Sequence, residues 1–100
     1  MIDIKHFTRM PVERLKGLNE GDQVELLTYK KDRKVILIKK AEHHYDILED
    51  GFEVKEFRNV EESKLEKHLK QLQRIEFPRS NKFFLKIIPA TLDNPYKLDL

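Results

Sequence analysis

The chain has no cysteine, only three glycines among 100 residues, and no apolar run longer than the four residues from Val35 to Ile38. Without cysteine there is no disulfide, no thiolate zinc site and no cysteine nucleophile, which favours a reducing compartment and predicts a cytoplasmic protein. Three glycines are too few for a phosphate-binding loop of the P-loop or dinucleotide type. A bilayer requires roughly 20 consecutive apolar residues, so we expect no membrane partner.

Charge is abundant but almost balanced. Charged side chains make up 38% of the chain and hydrophobic ones 39%, with a formal net charge of +2. This composition predicts a compact core beneath a strongly ionic surface and argues against a disordered chain.

A length of 100 residues fits a single domain. Residues 90–100 have no clear period and contain Pro95, so we expect a C-terminal arm there. Charged residues at positions 3, 5 and 9 predict the absence of a secretory signal.

The spacing of apolar residues predicts an α+β fold. Helical spacing follows Pro11 and recurs at Leu65, Leu69, Leu72 and Ile75, whereas the middle of the chain alternates with the period of strands. We predict a short N-terminal helix, an antiparallel sheet of about five strands, in which a returning C-terminal strand joins a meander, and one long amphipathic helix. The predicted helices cover residues 11–17 and 61–76, and the predicted strands cover residues 23–30, 34–41, 44–49, 52–56 and 83–88.

The predicted strand around Val35 to Ile38 is apolar on both faces, and such strands need cover on both sides. One long helix covers only one face of the sheet. The N-terminal segment and the C-terminal tail, with Leu92, Tyr96, Leu98 and Leu100, could close the second face. Alternatively, a homodimer buries it, because large apolar patches are rare on monomers. The candidate dimer interface consists of Leu27, Tyr29, Ile36, Ile38, Phe84 and Ile88.

Basic and acidic side chains are grouped along the chain. Residues 30–40 hold six basic side chains and one acidic, residues 42–62 hold eight acidic and two basic, and residues 64–86 hold seven basic and two acidic. These runs are solvated surfaces that pair with one another, or the hairpin loop and the joint between helix and strand form a patch that neutralises phosphates. In the second case, the nucleic-acid-binding residues are Lys30, Lys31, Arg33, Lys34, Arg79 and Lys82.

Residues 10–40 contain one family-like pattern, with Pro11, Gly17-Leu18, Glu20-Gly21-Asp22 and Val24. The segment resembles the later part of swapped-hairpin DNA-binding domains of the AbrB type. The resemblance covers about a third of the chain and implies a nucleic-acid partner.

No catalytic pattern is present in the sequence. His43 and His44 are adjacent, so on a strand they point to opposite faces and do not chelate one ion, and no serine lies in a Gly-x-Ser-x-Gly elbow. We therefore predict no catalytic residue, metal or cofactor.

The leading hypothesis is a small non-catalytic binding or assembly module that forms a homodimer through an apolar sheet face. The alternative is a protein that binds DNA or RNA through the basic hairpin loop and the helix-to-strand joint.

Overall fold

The alternating segment in the middle of the chain forms an antiparallel meander. A computed structural model describes residues 1–90, and the arm predicted over residues 90–100 lies, apart from Ala90, outside them. The meander consists of β2 (Gln23–Leu27), β3 (Lys34–Ala41), β4 (His44–Asp50) and β5 (Val54–Glu61). Strand β5 begins two residues later than the predicted strand 52–56 and continues to Glu61, the residue at which the long helix was predicted to begin.

Two further strands complete the sheet on the other side of β2. Strand β6 (Lys82–Ile88) returns to pair with β2, and β1 (Ile2–Asp3) pairs with the start of β6, which gives the order β1-β6-β2-β3-β4-β5. The α+β class is therefore confirmed, with six strands where about five were predicted. Strand β1 was missed because two residues are too few to show alternation.

Both helices lie where apolar side chains recur at helical spacing. Helix α1 (Met10–Lys16) has Pro11 in its first turn, where a missing N–H costs nothing. Helix α2 (Leu65–Glu76) follows a turn of 3-10 helix, Glu62–Lys64, so the α-helical part begins later than predicted. In residues 1–90, neither helix is long and apolar enough to cross a membrane.

The core lies between the two helices and one face of the sheet. Val24, Leu26, Val35 and Leu37 on the central strands pack with side chains from both helices, among them Leu15, Leu65, Leu69 and Leu72. An aromatic cluster extends this core to the C-terminal end of α2 and the start of β6. The centre of the Phe7 ring lies 4.7 Å from that of Phe77 and 5.2 Å from that of Phe83. The joint between α2 and β6 is therefore anchored in the core.

The second face of the sheet is also largely buried. Leu27, Ile36 and Ile38 are 5%, 0% and 4% exposed, although they lie outside the core that the helices close. The apolar side chains Ile2, Ile4 and Phe7 of the N-terminal segment do not account for this, because they pack in or against the helix-covered core. The tail proposed as the alternative cover, with Leu92 and the three residues named with it, lies outside the described residues. The expectation that β3 is buried on both faces is confirmed.

Candidate functional site

Two connections that are far apart in sequence border one cleft at the end of the sheet. They are the loop between β2 and β3 and the joint between α2 and β6. The cleft has a volume of about 690 Å³. Four of the six predicted nucleic-acid-binding residues line it: Lys30, Arg33, Arg79 and Lys82.

Hydrogen bonds within the β2–β3 loop fix its shape. The Thr28 N–H donates to the Arg33 carbonyl at 3.1 Å, and the Lys31 N–H donates to the Thr28 carbonyl at 2.9 Å. The Thr28 hydroxyl donates to Asp32 Oδ1 at 2.7 Å, which lowers the pKa of the Asp32 carboxyl and keeps it ionised. A four-residue loop, residues 29–32, is therefore closed by Thr28 and Arg33.

The α2–β6 joint is held at both of its ends. Phe77 is 2% exposed and ends the helix, and its carbonyl accepts from the Ser80 N–H at 3.3 Å. The Asn81 carbonyl accepts from the Ile4 N–H at 2.8 Å. Because the backbone is pinned in this way, the two basic side chains of the joint, Arg79 and Lys82, are exposed on a fixed support.

The cations of the cleft differ in their partners. Arg33 is engaged by the end of α2: its Nε lies 3.9 Å from Glu76 Oε1 and its guanidinium donates to the Glu76 carbonyl at 3.3 Å. Arg33 thereby compensates the negative end of the helix. By contrast, Lys30, Arg79 and Lys82 have no carboxylate within 4.0 Å among residues 1–90. We call these three side chains the cleft cations.

A buried pair of glutamates supports the wall of the cleft. Glu76 is 1% exposed and accepts hydrogen bonds from the Phe52 and Glu53 N–H groups at 2.7 and 3.0 Å. Burial and the neighbouring Glu76 carboxylate raise the pKa of the fully buried Glu49 to about 8. Burial alone would raise the pKa of Glu76 as well, but Glu49, the two amides and Arg33 lower it. Glu49 therefore holds the proton and Glu76 carries the charge at neutral pH.

An exposed aromatic side chain, Tyr29, also lines the cleft. Its side chain is 69% exposed, and its ring stacks near Phe84 with a centroid distance of 6.5 Å and an interplanar angle of 21°. Lys31, another of the predicted binding residues, lies outside the lining of the cleft. Its Nζ lies 5.1 Å from the centre of the Phe84 ring. Lys34 is also absent from the lining and pairs in register with Asp50 on β4.

A basic stripe on α2 leads to the cleft and was not among the predicted site residues. Lys67, Lys70 and Arg74 are exposed and have the spacing of one helix face. A smaller cavity of about 240 Å³ is lined by Lys70 and Arg74 and shares Pro78 with the cleft. The three-and-four spacing of these bases was the signal in the sequence that could have placed them on one face of the helix.

The candidate dimer residues divide into two groups. Leu27, Ile36 and Ile38 are buried within the chain itself, so they offer little area to a second copy. Tyr29 is exposed, whereas Phe84 and Ile88 are half-buried at the edge of the same face. A partner chain would therefore contact mainly the second group.

The two adjacent histidines lie at the opposite side of the meander. His43 is in the turn between β3 and β4, and its Nδ1 lies 3.2 Å from Glu62 Oε2. His44 begins β4. Across the part of the chain that the structure describes, no three histidine or acidic side chains are arranged to hold a metal ion.

Comparison with known proteins finds no match for this chain among protein families, curated proteins or solved structures. The AbrB-type resemblance of residues 10–40 is therefore not supported by these comparisons. In the structure this segment forms α1, β2 and β3, and β3 continues through β4 into β5 of the same sheet.

Proposed function

We propose that the chain is a non-catalytic binding module whose cleft binds nucleic acid. The observation that carries the proposal is the convergence of the three cleft cations, Lys30, Arg79 and Lys82, on one cavity, with no carboxylate of residues 1–90 within 4.0 Å of any of them. Like charges gathered in this way repel one another, and an anionic ligand relieves the repulsion. Such a role is compatible with the cytoplasmic location expected from the cysteine-free composition.

An extended polyanion fits this surface better than a single anion does. The basic stripe of Lys67, Lys70 and Arg74 continues from the cleft along α2, so successive phosphates of one strand can meet successive cations. Arg79 can contact a phosphate through two N–H groups at once. The acids that line the cleft, Asp32 and Glu76, are each hydrogen-bonded within the protein, which limits their repulsion of a phosphate.

The proposal is tested by neutralising the cleft cations together. We expect the triple variant Lys30→Gln, Arg79→Gln, Lys82→Gln to bind a labelled oligonucleotide at least about 10-fold more weakly in low salt, because three phosphate contacts are lost. Fluorescence anisotropy with RNA and DNA oligonucleotides measures this loss.

The matched control removes the same charge elsewhere. The variant Arg14→Gln, Lys16→Gln, Lys64→Gln lies outside the lining of the cleft and changes the net charge equally. We expect it to lose much less affinity than the cleft variant. Equal losses in the two variants would mean that net charge alone attracts nucleic acid, and no binding by the unmodified protein in low salt would end the proposal.

Self-association through the second sheet face is a second proposal. It is favoured by the neighbouring rings of Tyr29 and Phe84, which lie on one side of the molecule with the half-buried Ile88. We expect the variant Phe84→Ser to shift the protein from dimer to monomer in sedimentation equilibrium. A 12.1 kDa monomer of the unmodified protein at high concentration would exclude this dimer.

A further inference from the structure

Tyr29 is a large aromatic ring that the fold leaves in water at the cleft. Lys30 and Lys31 follow it in the loop, and the centre of its ring lies 6.5 Å from that of the Phe84 ring. The main chain on both sides of it is fixed, because Thr28 closes the loop with Arg33 and Lys31 bonds back to Thr28. Tyr29 is therefore an exposed ring with a supported position rather than a ring on a free segment.

We propose that the cleft takes a single nucleic-acid strand, one base of which stacks on Tyr29 while the cleft cations hold the flanking phosphates. This inference rests on the proposed function and specifies its ligand. Base faces in a duplex are covered by the neighbouring base pairs, whereas an unpaired base offers its face to an aromatic side chain.

The geometry of the cleft is suited to this ligand. Its volume of about 690 Å³ lies within the range of pockets that enclose small organic groups, so it can take unpaired nucleotides. Lys30, next to Tyr29 in the loop, has no carboxylate of residues 1–90 within 4.0 Å and can meet the phosphate beside the stacked base. Of the two neighbouring rings, Tyr29 and Phe84, only Tyr29 lines the cleft. The Lys31 ammonium lies over the Phe84 ring.

The experiment measures the affinity of Tyr29→Ala and Tyr29→Phe for four probes: single-stranded oligo-U and oligo-dT, a duplex of equal length, and an abasic single strand. We expect Tyr29→Ala to bind the two single strands about 5- to 100-fold more weakly, as the loss of one stacked base predicts, and Tyr29→Phe to bind nearly normally. Affinity for the duplex and for the abasic strand should change little. The RNA and DNA arms show whether the sugar matters.

Val54→Ala is the control, because Val54 is another exposed apolar side chain, 75% exposed, and lies outside the lining of the cleft. It should leave single-strand affinity unchanged. The inference is overturned if Tyr29→Ala binds single strands as the unmodified protein does, or if it weakens abasic and normal strands equally. In both cases the proposed function still stands if the cleft-cation variant fails to bind. If the unmodified protein binds none of the probes, both proposals fail.

Discussion

The two ends of the sheet use their basic side chains differently. At one end, Lys39 Nζ donates to the Leu15 and Leu18 carbonyls at 3.3 and 2.9 Å and so caps α1, and Lys40 Nζ lies 3.4 Å from the buried Asp46. At the other end, the cleft cations have no such partner among residues 1–90. Lysines of the same run, residues 30–40, therefore belong to two classes, one that stabilises the fold and one that remains available for binding.

The difference is one of geometry rather than composition. Lys39 lies where β3 passes the C-terminal end of α1, whose last carbonyls lack partners within the helix. Lys30 lies in a loop that reaches beyond the sheet towards the α2–β6 joint. Variants of the two classes are expected to differ in whether they alter stability, binding or both.

The largest effect on stability is expected from Glu76→Ala, beside the cleft. The change leaves the Phe52 and Glu53 amides without their acceptor and Arg33 without its counter-charge. We expect the free energy of unfolding to fall by about 3 kcal/mol, as for other buried charged hydrogen-bond networks. Urea denaturation measures the loss. Glu66→Ala, which removes an exposed partner of Arg9, should change it by less than about 0.5 kcal/mol.

Lys39→Met should also destabilise the chain without affecting the cleft. The methionine keeps most of the side-chain volume but leaves the carbonyls at the end of α1 without their charged donor, which is expected to cost about 2 kcal/mol. Thermal denaturation followed by circular dichroism detects this loss, and oligonucleotide affinity should remain normal. A loss of affinity in a variant that is still folded at the assay temperature would contradict the division of the lysines into two classes.

The pH dependence of stability is expected to change in Glu49→Gln. Because the pKa of Glu49 is raised to about 8 in the folded chain, its contribution to stability is complete below the ordinary value near 4.5 and is lost as the pH rises through about 8. Glutamine cannot lose a proton there. We therefore expect the unmodified protein to lose roughly 1 to 3 kcal/mol more stability than the variant between pH 5 and pH 8.5. Parallel stability curves for the two proteins would contradict the assignment of the proton to Glu49.

The smallest effect on stability is expected from the cleft-cation variant. Lys30, Arg79 and Lys82 have no ion pair in residues 1–90, so their replacement by glutamine should change the free energy of unfolding by less than about 0.5 kcal/mol per site. Urea denaturation measures it. A large loss of stability would show that these side chains belong to the fold.

The sequence predicted most of the fold because the apolar pattern was strong. The residue bounds of β3 were predicted correctly, and the position of α2 followed from Leu65, Leu69 and Leu72. The main error in the predicted secondary structure lay between these two elements, where β5 gives way to the helix. Asn59, two residues before the predicted start of the long helix, lies in β5 with a φ of 57°, at a register shift where its N–H donates to Asp46. That conformation depends on a residue of the neighbouring strand, so no local pattern announces it.

The candidate site was predictable only in its residue types. The grouping of basic side chains along the chain indicated both basic segments. Whether the β2–β3 loop lies beside Arg79 and Lys82, however, depends on the pairing of β6 with β2, a contact between distant parts of the chain. The roles of the individual basic side chains were even harder to predict from the sequence. Arg33 and Lys39 are engaged by helix carbonyls, which tertiary packing alone decides. The burial of Ile36 and Ile38 followed from the apolar run on both faces of β3, but what covers the second face could not be deduced from alternation.

The dependence of affinity on salt concentration tests the binding role of the cleft cations most directly. A single strand that contacts Lys30, Arg79 and Lys82 releases counterions on binding, so the logarithm of the association constant should fall with the logarithm of salt concentration with a slope of about −2 or steeper. The cleft-cation variant should show a slope shallower by about 2 units. The same slope for both proteins, or affinity that does not change with salt, would contradict a binding role for these three side chains.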